Sequence, residues 1–145
     1  MIAGRGMELA VGGRPPHRID RPFEPFVFSG DEPTACRLLD GPIRDFNLMV
    51  ARTSARSHLE VRHLEGASRL HAPLSGDVII HCFHGAIDLA TSTGTAVGML
   101  LSNCTAIVNS AAGGMPHDLR MIAAGGGAMI AIIEIAVNRG SVGDR

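Results

Sequence analysis

The chain has 145 residues, 46% of them hydrophobic and 19% charged, which fits one globular domain burying about two thirds of the surface its unfolded form exposes. A formal net charge of −1 and the absence of Trp and Tyr leave neither the positive field nor the stacking platforms that nucleic-acid binding uses. All 13 basic residues are arginine, so Schiff-base and lysine general-base chemistry are excluded.

In chain order, turn signals recur at Gly12-Gly13, Gly30-Asp31, Gly41-Pro42, Gly66, Gly76-Asp77, Thr93-Gly94, Ser102-Asn103, Gly113-Gly114 and Gly125 to Gly127. Short apolar or alternating runs lie between most of them, and no long segment carries a 3.6-residue period, so the expected class is all-β. The spacing predicts strands over Met7 to Val11, Phe26 to Ser29, Cys36 to Leu39, Phe46 to Arg52, His58 to Leu64, Val78 to Cys82, Ala86 to Thr91, Met99 to Leu101, Thr105 to Val108, Leu119 to Ala123 and Met129 to Ile135. Pro15-Pro16 and Pro22 to Pro25 suit loops or edges, because proline has no N–H for a ladder. A composition shift between Gly66 and Gly76 marks a seam in a β domain spanning 1–137, with a first unit 1–66 and a second about 67–137. Residues 138–145 are polar and glycine-rich without apolar period and read as a disordered tail.

The run Leu119 to Val137 is apolar except for Arg120 and Glu134, and its length approaches that of a membrane-crossing helix. Its three central glycines and β-branched second half read better as strand, glycine turn, strand, so no membrane segment is expected. Cys36, Cys82 and Cys104 are widely spaced with no CxxC pair, and the chain opens with no secretory signal. They read as free thiols in a reducing, cytoplasmic setting.

The densest polar chemistry follows the Gly41-Pro42 turn. On a strand, Ile43, Asp45, Asn47 and Met49 would share one face and Arg44, Phe46, Leu48 and Val50 the other. Each face then mixes polar groups with bulk, so either Arg44 or the Asp45 and Asn47 pair is expected to point inward, where it needs a partner or a ligand. Arg44, Asp45 and Asn47 are therefore the candidate ligand-binding residues. A guanidinium beside an amide grips a carboxylate; equally, Asp45 can cap the turn or pair with Arg37 or Arg52. For metal, Ile80-His81-Cys82-Phe83-His84 lacks the His-x-His spacing that brings two imidazoles to one strand face. Cys82 and His84 would share a face, with Asp88 the only carboxylate near, and the histidines read as structural, with no metal or other cofactor assigned.

This region resembles the HutD/Ves family, cupin-like proteins encoded with bacterial histidine-utilisation genes. The resemblance rests on Phe28, Gly30, Asp31, Cys36, Leu38, Gly41, Pro42, Arg44, Asp45, Phe46, Asn47, Leu48 and Met49. It extends more loosely to Gly4 through Leu9 and to Val78 through Leu89. It implies an all-β cupin of RmlC-like jelly-roll type in a bicupin architecture. Because the family's Pro-Trp-Lys-Asn-Gly-Gly-Gly segment is missing, the expected architecture is N-terminally truncated. It also implies a non-catalytic protein that modulates histidine catabolism by binding a small acidic metabolite resembling formylglutamate. Two other readings stay open: a metal-dependent cupin enzyme, isomerase or dioxygenase, using His81 or His84 with Cys82 and Asp88, and a structural remnant acting as a homodimer through an open sheet edge.

Overall fold

The computed structural model describes residues 1–71, 76–109 and 118–138. Among them there is no helix, and nine strands form two antiparallel sheets. Contacts divide the chain into Met1–Met49 and a second unit from Val50 onward. The Gly66 seam read from the sequence falls inside the second unit, between two strands that pair with the same neighbour.

In the first unit, β1 (Met7–Val11) is flanked by β2 (His17–Ile19) and β3 (Thr34–Leu38). Its alternation is that of a half-buried strand: Met7, Leu9 and Val11 are buried with Ile19, and Met1, Phe26 and Ile43 pack against them. Glu8, on the other face, lies opposite both Arg18 and Arg37 and accepts from Arg37 Nη2 at 2.7 Å.

Two expected strands of this unit are absent. Phe26 to Ser29 forms no ladder. The Phe26 ring stacks on His17 with centroids 4.2 Å apart and on Phe28 at 5.8 Å, and Val27 is exposed. The apolar run serves ring packing rather than a sheet. Phe46 to Arg52 likewise forms no strand: the ladder stops after one bridge, Ala3 with Arg44. Alternation fixes the face of a residue only where a neighbouring strand supplies ladder partners.

The second unit is built on two long strands, β6 (Asp77–Thr91) and β9 (Asp118–Val137). β4 (Ala55–Leu64) and β5 (Ala67–His71) follow one another along β9, and β7 (Ala96–Leu101) and β8 (Thr105–Asn109) both pair with β6. One half therefore runs β4-β9-β6-β8 and the other β5-β9-β6-β7. Residues from both halves, including Ile80, Cys82, Ile130 and Val108 from one and Ile87, Leu100, Leu119 and Met121 from the other, share one core.

The strand pairs expected as Val78 to Cys82 with Ala86 to Thr91, and as Leu119 to Ala123 with Met129 to Ile135, are each one continuous strand. Gly125 to Gly127 is not a hairpin loop. Register partners run from Cys82 with Ile130 through His84 with Met129 to Ala86 with Ala124, so the extra residues of β9 are taken up in a bulge. The core-facing parity switches with it, from Val78, Ile80 and Cys82 to Ile87 and Leu89 on β6, and from Met121 to Ala128 and Ile130 on β9. A bulge also increases local twist and bends the strand. Glycine signals turn and bulge alike, because both need backbone freedom.

Asn103 adopts a left-handed φ of 63° in the β7–β8 turn, which asparagine tolerates, and its N–H donates to the Cys82 carbonyl at 2.7 Å. Asn138, expected in the tail, is fixed by its N–H to the Ser54 carbonyl at 2.8 Å. The Gly113-Gly114 turn and residues 139–145 lie outside the described residues. No described helix is long and apolar enough to cross a membrane, a statement that does not bear on strands.

Candidate functional site

Arg44 is positioned by its backbone. Its N–H donates to the Ala3 carbonyl at 2.8 Å, and its own carbonyl accepts from the Ile2 and Ala3 N–H groups at 2.8 and 3.1 Å. Gly4 permits this approach: its φ is +109°, and a Cβ there would lie 2.8 Å from Ile43 Cα. The Arg44 guanidinium is exposed and makes no ion pair among the described residues. Of the other arginines in the first unit, Arg21 likewise makes no ion pair, and four are engaged: Arg5 with Asp40 at 2.5 Å, Arg14 with Glu32, Arg18 with Asp20 at 2.7 Å and Arg37 with Glu8 at 2.7 Å. The hydrogen bond from Arg18, and more weakly the charge of Arg21, hold the Asp20 carboxyl below its ordinary value.

Asn47 Nδ2 donates to Asp45 Oδ2 at 2.9 Å. The structure thus brings Asp45 and Asn47 together and sets Arg44 beside them, but all three side chains are exposed. The expectation that one of them turns inward is corrected, because without a strand the alternating faces do not exist. No polar or charged side chain among the described residues is buried.

A polar set that the sequence reading passed over lies on β4. Glu60 and Arg62 face the same side as their register partners Ile132 and Ile130, at the margin of the core. Arg62 grips Glu60 with two bonds, Nε to Oε1 at 2.9 Å and Nη2 to Oε2 at 2.8 Å, and its Nη1 donates to Ser68 Oγ on β5 at 3.2 Å. The bond from Arg62 holds the Glu60 carboxyl below its ordinary value against a smaller opposing effect of burial. A carboxyl depressed in the folded state stabilises above its unfolded pKa and loses that contribution as pH falls through the folded value. Both side chains are about a third or more exposed, so the expected contribution is below about 1 kcal/mol. In urea unfolding, Glu60→Gln should lower stability by roughly 0.5 kcal/mol at about pH 7, and the gap should close by about pH 3. A gap of equal size at both pH values would rule out the ion pair as its source.

Near this set, a groove of about 360 Å³ is lined by Ala67, Ser68, Arg69, Ser92, Asp118, Leu119 and Arg120. The expected pairing of Cys82 with His84 on one face is not found. Cys82 is opposite the core residue Ile130 and His84 opposite the adjacent Met129, so the bulge puts them on opposite faces. Cys82 Sγ donates to the His84 and Gly85 carbonyls at 3.3 and 3.6 Å, and burial, then Cys104, pushes its pKa up. That environment favours a thiol over a metal-binding thiolate. His81 shares a 2.8 Å hydrogen bond with Thr105 Oγ1, meets the Phe83 ring edge-on at 4.8 Å, and has its pKa lowered by burial. Among the described residues no three His, Cys, Asp or Glu side chains gather around one point.

These features define an all-β protein built from antiparallel sheets, with polar groups at the sheet margins. Residues 1–129 match the HutD family, and the chain belongs to it. Over 75 residues, 52% of this chain, it is 41% identical to an uncharacterised 21.2 kDa protein encoded in the hutC 3′ region of Pseudomonas putida, and it spans only 38% of that relative. It is similar to the crystal structure of a conserved protein of unknown function from Pseudomonas aeruginosa PAO1, with TM-score 0.79 and 27% identity over 94% of this chain and 69% of that one. It is also similar to HutD from Pseudomonas fluorescens SBW25, with TM-score 0.67 and 27% identity over 94% of this chain and 65% of that one. The family name and the hutC-region relative link the chain to bacterial histidine utilisation.

Proposed function

We propose that this chain binds a small acidic metabolite of histidine breakdown, a formylglutamate-like acid, without turning it over, and that it modulates histidine catabolism in the cytoplasm. The observation that carries this reading is Arg44: its backbone is clamped by Ala3, and among the described residues its guanidinium has no carboxylate, whereas Arg5, Arg14, Arg18 and Arg37 each have one; Arg21 also has none but lacks the backbone clamp. A positioned guanidinium that stays charged is suited to bidentate capture of a carboxylate. Asp45 accepts from Asn47, which supports the reading that Arg44 is kept available rather than neutralised by its neighbour. Asn47 retains its side-chain carbonyl as an acceptor for a ligand N–H.

Calorimetric titration of the full chain with formylglutamate, with formiminoglutamate, urocanate and formate as comparisons, tests this. Saturable binding of a dicarboxylic intermediate is expected, weakened at least tenfold in Arg44→Ala, the loss of one charge-assisted contact of roughly 1.5–3 kcal/mol. Binding unchanged in Arg44→Ala, or no heat with any of the four, would refute the assignment.

A further inference from the structure

We infer that the groove on β5 and β9 is a second, separate anion site, built for a dianionic oxyanion of the phosphate-monoester class. Arg69 on β5 and Arg120 on β9 are direct register partners in an antiparallel pair. Their sequence neighbours Leu70 and Leu119 are buried in the core, and the two arginines are exposed, so both stand on the outer face. Residues so placed have Cβ atoms about 4.5–5.5 Å apart, and like charges there destabilise the pair.

Nothing among the described residues relieves that repulsion. Neither guanidinium makes an ion pair. Asp118, on the same face, is engaged by His71 Nδ1. Asp88 on β6 is opposite Ile122, one step diagonal from Arg120, and forms no ion pair with it. Two unrelieved cations therefore border a groove of about 360 Å³ whose lining also includes Ser92.

Two guanidinium forks with the Ser92 hydroxyl match the charge and the several acceptor oxygens of a phosphate dianion better than those of a single carboxylate. Asp118 at the edge disfavours longer polyphosphates. The site uses no residue of the Arg44 region and stands or falls independently of it.

The probe is inorganic phosphate, titrated into the full chain at constant ionic strength set with chloride, and read by calorimetry and by the thermal midpoint. Wild type should bind saturably, with a dose-dependent rise in midpoint. Arg69→Gln and Arg120→Gln should each weaken binding at least tenfold, and Arg44→Ala should leave it unchanged. In phosphate-free buffer both Gln variants should melt no lower than wild type, because each removes a like-charge contact. Absence of a phosphate response in wild type, an undiminished response in either Gln variant, or a phosphate-free midpoint falling several degrees in both would overturn the assignment.

Discussion

Gly85→Ala is expected to destabilise the second unit by about 3 kcal/mol or more, among the largest effects of any single methyl group added to this chain. Gly85 has φ +81°, where an L side chain costs roughly 1–2 kcal/mol before any contact is counted. Its added Cβ would also lie 2.4 Å from the Gly127 carbonyl oxygen and 3.1 Å from Ala128 Cα. Those atoms are backbone of the neighbouring strand and cannot rotate away. Relief requires β6 and β9 to separate at the bulge, where the two halves of the sheet join. Gly125, on the same bulge, has φ +67° but nothing within 4 Å of its would-be Cβ, so Gly125→Ala should cost only the conformational term of roughly 1 kcal/mol. For a chain of this size the two correspond to midpoint losses of roughly 6–12 °C and about 3 °C. Equal losses would mean that the β6–β9 contact at the bulge is not tight.

That bulge is also where sequence and structure part most clearly. β1 was legible to the residue, because Gly6 and Gly12-Gly13 bracket a run whose alternation matches a half-buried strand. The all-β class was legible for the same reason, repeated along the chain. The length of β6 and β9 was not, since Gly85 and Gly125 to Gly127 interrupt the apolar pattern in the way a turn would, and only the partner strand shows that both chains continue. β2 and β5 were missed because His-Arg-Ile and Ala-Ser-Arg-Leu-His offer too few apolar residues to show a period.

The candidate sites divide along the same line. Arg44, Asp45 and Asn47 were visible as a local motif, although the strand expected to orient them does not form. The Glu60 and Arg62 pair was visible in principle, since residues two apart on a strand share a face and the sequence predicts a strand over His58 to Leu64. The meeting of Arg69 with Arg120 was not visible, because it depends on the register of strands far apart in the chain. Local chemistry survives in a sequence; cross-strand chemistry is created by the pairing.

The second large effect is expected at Ile80. Its side chain is fully buried, and its register partner on β9 is Ile132, a member of the same core. Ile80→Ala removes three carbon atoms from a place walled by strands of both halves, and the loss combines transfer and cavity terms of about 2–5 kcal/mol. Ile80→Val removes one carbon and should cost roughly 0.5–1.5 kcal/mol. Ile107, paired with Ile79 on the other face of the same sheet, is 65% exposed, and Ile107→Ala should stay within about 0.5 kcal/mol of wild type. Urea unfolding of the three variants checks the order. An Ile107 loss as large as that at Ile80 would mean that the outer face of β8 is covered in solution. A small loss at Ile80 would mean that the two halves do not close over a common core, and the bulge at Gly85 would then have no fold to hold together.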